Sequence, residues 1–336
     1  MADFVSLKAS ITQKGAVLLG KRIACDAFDD FRPLRIVTHA HSDHMVGLQQ
    51  SIRRCQSLIM TPATRDLLGV MRNSSFLRLD NIKALNYGET LTLLDEQLTL
   101  HRADHILGAA QVLVEDLEGT RIVYTGDFRM PNTPVLEADI LVLEATYGSL
   151  FQIRWFQPVV EDALVSLVES GLNNGPVCIF GYNGKLQEIM QILHTNQIDA
   201  PFIVPEKVFQ ISKVCECYGM QLGKFLSEDE DEAKEITERN EPHIALYHMN
   251  SRRYVGKEAL RISVSGWEFS GPRRQIAPNE HVIALSDHSD FNGLLRYVEE
   301  SKPKLVITDN YRAGNATALA KEITKRLGIE AKAMPQ

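Results

Sequence analysis

The sequence predicts an α/β protein of about two domains, or of one domain that carries a large insertion. Three observations support that reading. Short runs rich in Val, Ile and Leu, bounded by Gly, Asp or Pro, recur along the chain as strands do. Helical spacings alternate with such runs from about residue 159 onward, the pattern of a parallel sheet with helices packed on it. The pattern changes after Tyr147-Gly148, and a length of 336 residues suits about two domains.

Taken in order, residues 16–19 and 22–25 are short apolar runs around Gly20, and 35–38 is a third that ends in a histidine-rich segment. Strands are expected at 58–60, 91–100, 111–115, 121–124 and 140–143, with a helix at 64–71. Beyond Gly148 the spacing predicts a helix over 159–169, a buried strand at 176–180 and a helix over 185–194 after the turn Gly181-Tyr182-Asn183-Gly184. A strand at 203–204, a helix over 207–218 and a strand at 244–248 follow. The acidic run SEDEDE at 227–232 reads as a solvated helix start or loop. Strands at 282–285 and 305–308 each lead through a polar turn into a helix, at 293–300 and 316–327.

Composition narrows the function classes. With 44% hydrophobic and 24% charged residues the chain can bury a core, which excludes disorder as its main state. Lys plus Arg number 36 against 43 Asp plus Glu, a net charge of −7, so any phosphate-binding surface is local rather than a whole basic face. Five cysteines, Cys25, Cys55, Cys178, Cys215 and Cys217, show no framework spacing and read as reduced thiols. Cys215 and Cys217 lack a nearby His or Cys partner in sequence and read as positions on a half-buried helix. The start Met1-Ala2-Asp3-Phe4 shows no basic region followed by an apolar run, and no apolar stretch nears the roughly 20 residues of a membrane span. The expected location is the cytoplasm, with no membrane partner.

The segment that carries chemistry is Thr38-His39-Ala40-His41-Ser42-Asp43-His44. Four potential metal ligands lie directly after an apolar strand. Neutral imidazole nitrogens and a carboxylate suit Zn²⁺ and related ions. A tight turn lets His39 and His41 face one ion while Asp43 and His44 face a second, at the two-metal spacing of about 3.5–4 Å. Further candidates sit where loops leave strands: His105, Asp127 and His288.

These segments resemble the metallo-β-lactamase superfamily, and in particular its β-CASP nuclease branch, which includes Artemis- and Apollo-like DNA nucleases, the nuclease subunit of the mRNA cleavage and polyadenylation factor, RNase J and ligase-associated exonucleases. The matching stretches are IACDAF (23–28), VTHAHSDHMVGL (37–48), ADHILGAA (103–110), YTGDFR (124–129), LEATYG (143–148) and ALSDHSDF (284–291). The H-x-H-x-D-H string points to the superfamily; EATYG and SDHSDF point to the branch. The resemblance implies an αββα sandwich as core, residues 1–155 and 275–336, with an α/β β-CASP cap inserted at 156–274. It implies two divalent ions, Zn²⁺ with Mn²⁺ also compatible. His39, His41 and His105 would hold the first, Asp43, His44 and His288 the second, and Asp127 would bridge them. Asp43, Asp127, His288 and Glu144 would serve catalysis. Glu144, Asp26 and Asp309 would support the ligands from behind. Within the cap, Gly184 and Lys185 at a helix start offer backbone N–H groups and a positive charge to a phosphate. Arg252, Arg253, Arg273 and Arg274 are further basic candidates.

The last motif falls at Thr308-Asp309-Asn310. RNA-processing members carry His where this chain has Asp309, and Artemis-like members carry Val. The expected activity is metal-dependent phosphodiester hydrolysis on nucleic acid, with DNA favoured over RNA and 5′-end or single-strand exonuclease action. RNA processing and hydrolysis of a small thioester or lactone are the alternatives.

Overall fold

The computed structural model describes residues 8–72, 75, 79–256 and 259–336. The segment read above for a leader, Met1-Ala2-Asp3-Phe4, lies outside the described residues. The chain divides into two compact units, Met1–Ile153 with His288–Gln336, and Arg154–Asp287. It leaves the first unit after Ile153 and returns to it at His288.

Two sheets build the first unit. One has six strands in spatial order from β1 to β6: β1 (Ala9–Ile11), β2 (Val17–Leu19), β3 (Ile23–Cys25), β4 (Leu34–Ile36), β5 (Ser57–Met60) and β6 (Ile82–Ala84). β3 through β6 run parallel. The helices α1 (Leu48–Arg54) and α2 (Pro62–Arg72) fall in the connections around β5. The other sheet contains β7 (Thr90–Leu93), β8 (Glu96–Arg102), β9 (Ala110–Asp116), β10 (Arg121–Tyr124) and β11 (Ile140–Leu143), continued after the second unit by β19 (Leu305–Asp309) and β20 (Glu330–Met334). β10, β11, β19 and β20 are parallel.

Strand periodicity explains the layers, because alternate residues face opposite sides of a sheet. Leu98, Leu100, Val112, Val114, Ile122, Tyr124 and Val142 face the first sheet and pack with Val17, Leu19, Ile23, Leu34, Ile36 and Ile59. Their neighbours Leu113, Val123, Leu141, Leu143 and Val306 face the other way. They meet Phe291, Leu294, Tyr297 and Val298 of α7 (Phe291–Ser301) and Leu319 and Ile323 of α8 (Ala316–Leu327).

The second unit holds one seven-stranded sheet, in spatial order β14-β13-β15-β12-β16-β18-β17. Its strands are β12 (Val177–Gly181), β13 (Phe202–Val204), β14 (Phe225–Ser227), β15 (Ile244–His248), β16 (Leu260–Val264), β17 (Arg273–Ala277) and β18 (Glu280–Ile283). All pair in parallel except β17 with β18. The helices of this unit are α3 (Val160–Leu172), α4 (Lys185–Thr195), α5 (Glu206–Cys217) and α6 (Asp231–Glu238). The unit runs to Asp287, with β18 hydrogen-bonded to β16 and β17 carried on β18. All five cysteines are free, with Cys215 buried and Cys217 exposed on α5. No helix among the described residues is long and apolar enough to cross a membrane.

Candidate metal centre

The loops that carry the candidate residues leave the carboxyl ends of strands, where open α/β sheets present functional groups. Asp26 follows β3, the His39–His44 segment follows β4, Asp127 follows β10 and Glu144 follows β11. His105 lies between β8 and β9, and His288 is the first residue of the returning segment. Backbone bonds join these loops. Ala110 N donates to Thr38 O at 3.0 Å, Arg129 N to Asp104 O at 2.7 Å, and Ser289 N to Phe128 O at 2.8 Å. Gly126, beside Asp127, has φ +56°, and a Cβ there would stand 2.9 Å from Ala110 O. Only glycine allows that approach without strain.

His39, His41, His105 and Asp127 each place a ligand atom within 4.8 Å of the others. Asp127, Glu144 and His288 form a second set on the same measure. His44 Nε2 lies 3.1 Å from Asp127 Oδ2 and 3.6 Å from Asp43 Oδ2. The ring centroids of His105 and His288 are 4.8 Å apart. Asp127 therefore faces both groups of histidines. Asp43 stands at the margin, its side chain 59% exposed.

Hydrogen bonds fix the tautomers. Asp26 is fully buried, and its Oδ1 accepts from Thr38 N at 2.8 Å. Its Oδ2 accepts from Thr38 Oγ1 at 2.8 Å and faces His44 Nδ1 at 2.8 Å. A carboxylate only accepts, so His44 carries its proton on Nδ1. The Thr38 hydroxyl donates its one hydrogen to Asp26, so its oxygen accepts from His39 Nδ1 at 3.1 Å. Glu144 Oε1 accepts from Phe128 N at 2.9 Å while Oε2 faces His288 Nδ1 at 2.9 Å. In each case Nδ1 is committed and Nε2 is left to act as a ligand, the arrangement that carboxylate partners impose on metal-binding histidines.

Two of those nitrogens test whether a metal fits. His39 Nε2 and His44 Nε2 are buried and have no hydrogen-bond partner among the described residues; the approach of Asp127 to His44 does not have hydrogen-bond geometry. Orphaned buried polar atoms are rare and cost about 1–3 kcal/mol each. A divalent cation facing them would satisfy both, and the donor set of imidazole nitrogens and carboxylate oxygens suits one. The cluster can hold metal.

The protonation of the cluster follows from burial and charge. Burial, with His44 and His105 beside it, holds the His39 imidazole well below its ordinary pKa, so it is neutral at pH 7. Burial also disfavours the Asp127 carboxylate, but His44, His288 and His39 outweigh it and hold its pKa well below the usual carboxylate range. Burial depresses the His44 imidazolium, yet Asp127 and Asp26 prevail over it and over Arg312, and protein groups alone hold its pKa up at about 10. Burial raises Glu144, with His288 opposing.

The other predicted residues are placed differently. Asp309 closes β19 and forms a turn of its own. Its Oδ1 accepts from Tyr311 N at 2.9 Å, and its Oδ2 pairs with Arg312 Nη1 at 2.5 Å rather than with a histidine. Gly184 and Lys185 begin α4 beyond the carboxyl end of β12, in the second unit. Lys185 Nζ is 2.5 Å from Glu188 Oε2 and 3.6 Å from Asp287 Oδ1, so its charge is shared with two carboxylates. Arg252 pairs with Glu280 and Arg274 with Glu268, while Arg273 Nε donates to His281 Nδ1 at 3.2 Å. Arg253 lies over the ring of Tyr254.

Two residues escaped the sequence reading. Thr38 was visible only as the first letter of the motif, although its hydroxyl joins His39 to Asp26. Arg35 is fully buried in β4, and its guanidinium donates to the carbonyls of His44 and Val46 and to Ser51 Oγ, pinning the far end of the histidine loop. The available signal was an Arg within an apolar strand.

No protein-family model matches the chain. Among curated proteins, it is 41% identical over 138 residues to an "Uncharacterized protein in lig 3'region" of Acidianus ambivalens, covering 40% of this chain and 99% of that one. It is 28% identical over 311 residues to a "Probable DNA ligase" of Opitutus terrae, covering 88% of this chain and 28% of the ligase. It is 26% identical over 390 aligned positions to the transcription termination factor FttA of Pyrococcus abyssi, covering 89% of this chain and 60% of that factor. The chain belongs to the β-CASP branch of the metallo-β-lactamase superfamily. The chain spans about a quarter of the ligase's length and about three fifths of the termination factor's. Among solved structures, a protein of unknown function from Enterococcus faecalis V583 shares the fold, with a TM-score of 0.61 at 14% identity over 92% of this chain and 81% of that one.

Proposed function

We propose that this β-CASP protein is a metal-dependent nuclease that hydrolyses phosphodiester bonds, with DNA as substrate and exonuclease action at a 5′ end or on a single strand. The observation that supports the chemistry is the cluster itself: His39, His41, His105 and Asp127 within 4.8 Å of one another, with two orphaned Nε2 atoms among the buried histidines. In this reading the two sheets and their flanking helices are the αββα sandwich of the superfamily, and the second unit is the β-CASP cap.

His39, His41 and His105 would hold one ion, and Asp43, His44 and His288 a second, with Asp127 between them. Divalent ions bound there would polarise a phosphoryl oxygen and lower the pKa of water. The chain's own residues do the positioning. Asp26 and Thr38 keep the Nδ1 protons of His44 and His39 in place, so both rings present Nε2. Glu144 does the same for His288. Asp127, kept ionised by the surrounding histidines, offers its carboxylate to both groups. The ions are Zn²⁺ in this reading, with Mn²⁺ able to replace it.

DNA is favoured by the relatives whose names refer to a DNA ligase or to the lig region. RNA is the second reading, favoured by the match to a transcription termination factor. A time course on single-stranded DNA and RNA of one sequence, labelled at either end, separates them. A ladder from one end of the DNA is expected, and Asp127→Ala should lower the rate at least about a thousandfold while leaving the protein folded, given that several kcal/mol of transition-state stabilisation come from bound metal. Cleavage of RNA alone would replace the DNA assignment. Undiminished cleavage by Asp127→Ala would remove the site assignment.

A further inference from the structure

The chain contains two tryptophans, and both are exposed: Trp155 at 73% and Trp267 at 54%. Both lie in the second unit, and Arg154 ties them together. Its Nη1 donates to Gly266 O at 2.8 Å and to Glu268 O at 3.2 Å, the carbonyls on either side of Trp267. Its Nη2 donates to Ala284 O. The same buried guanidinium lies over the rings of Phe156, at 5.3 Å, and Phe269, at 5.5 Å. Trp155 packs edge-on against the buried Phe156, with centroids 5.4 Å apart. Glu268 adds a second brace, accepting from Ser270 N at 3.0 Å and pairing with Arg274.

Two large aromatic side chains are therefore held at the surface by a backbone that a buried arginine fixes. Exposed indoles forgo substantial apolar burial, and a rigid mount makes them inexpensive to engage because little ordering remains to be done on binding. Exposed Arg273 and Arg274 follow within seven residues of Trp267, and Arg274 pairs with Glu268 next to that tryptophan, in a chain whose net charge is −7. Aromatic faces beside arginines suit unpaired bases with their phosphates, because stacking takes any base and the arginines meet the backbone.

We propose that Trp155 and Trp267 form a stacking platform for the unpaired bases of single-stranded nucleic acid. This rests on the nuclease reading and assigns the cap unit a role in holding the strand. The platform prefers single strands to duplex, because paired bases keep their faces covered.

The two tryptophans make the test direct, since they supply all the tryptophan fluorescence of the protein. With EDTA present to stop cleavage, the full chain is titrated with an oligothymidylate of about ten nucleotides, within the usual range of site sizes. Fluorescence quenching is expected with the single strand and not with a blunt duplex. Trp155→Ala and Trp267→Ala should each weaken binding, read by anisotropy of a labelled strand, about 5- to 100-fold, corresponding to about 1–3 kcal/mol per stacked base at about 1.4 kcal/mol per decade. Trp→Phe at either position should restore most of the loss. Equal melting temperatures of the variants would show that folding is intact.

Binding without quenching, or unchanged affinity in the folded double alanine variant, overturns the platform and leaves the nuclease reading standing. Quenching by a strand that the metal-loaded protein fails to cleave supports the platform and overturns the nuclease reading. Absence of both binding and cleavage overturns both.

Discussion

Asp26 shows what one residue determines. It sits in the left-handed region at φ +61°, is fully buried, and contacts the backbone and hydroxyl of Thr38 as well as His44. Non-glycine residues rarely adopt that conformation, and Asp tolerates it better than most. Asp26→Asn keeps the shape but can turn an N–H toward His44 Nδ1, which would put the ring in the wrong tautomer. We expect it to lower metal affinity about 10- to 100-fold, as loss of an orienting partner does. Thr38→Val should act in the same direction through His39, and Thr38→Ser should not; zinc competition with a chromophoric chelator measures both. The same residues set a pH dependence. In EDTA-treated protein, the His44 pKa near 10 exceeds its ordinary value of 6.5, so its ion pairs contribute fully below pH 6.5 and are lost as pH rises toward 10. Asp127 has a lowered pKa, so its contribution is present above the ordinary carboxylate range and fades as acid protonates it. Melting temperature should therefore decline on the alkaline side. Metal must displace the His44 proton, so metal affinity should rise over the same interval, with proton release visible as a buffer-dependent heat. A pH-independent affinity between 6.5 and 10 would contradict this account. These residues were legible to different degrees. The histidines announced themselves by spacing, but Thr38 and Arg35 act through a hydroxyl and a buried guanidinium that no motif spacing reveals.

At the level of elements, the loop around Gly126 brings Asp127 to the histidines. Gly126→Ala would bring both a left-handed Ala and a Cβ only 2.9 Å from Ala110 O, a backbone atom that cannot move aside alone. Gly119, at φ +77°, has nothing within 4 Å of its would-be Cβ. Gly119→Ala should cost about 1–2 kcal/mol for the conformation alone, and Gly126→Ala clearly more, with metal binding impaired as well. Urea midpoints of the two variants provide the comparison, and equal losses would show that the close approach does not matter. Legibility among elements follows the same physics. Helices α4 and α8 could be read because an apolar stripe runs their length. The run 91–100 read as one strand but is the hairpin β7–β8, turning at Leu94 with φ +45°. An exposed leucine in the left-handed region gives no Gly or Asn signal for a turn. β17 and β20 went unread because Arg273–Ala277 and Glu330–Met334 are polar edge strands, and α1 because seven residues hold too little periodicity.

For the molecule as a whole, the division into units decides how metal should affect stability. The seven candidate ligands, from His39 to His288, all belong to the unit formed by Met1–Ile153 and His288–Gln336, which the intervening segment interrupts just before its last ligand. A ligand that binds the native state alone stabilises it by RT ln(1 + [L]/Kd), about 2.7 kcal/mol at a hundredfold excess over Kd. That gain belongs to the unit that holds the metal. The second unit has its own sheet and its own buried residues, among them Ile179, Phe180, Val204 and Leu246, and holds none of those seven. Scanning calorimetry of the full chain with zinc and with EDTA should therefore show two transitions of which only one moves, upward with zinc by several degrees for a unit of about 200 residues. Trp155 and Trp267 report on the other, so the fluorescence melt should coincide with the transition that zinc leaves in place. A fluorescence transition that shifts with zinc as far as the calorimetric one would mean that the two units unfold as a single cooperative body. The seven-residue assignment would then need ligand-by-ligand substitution to support it.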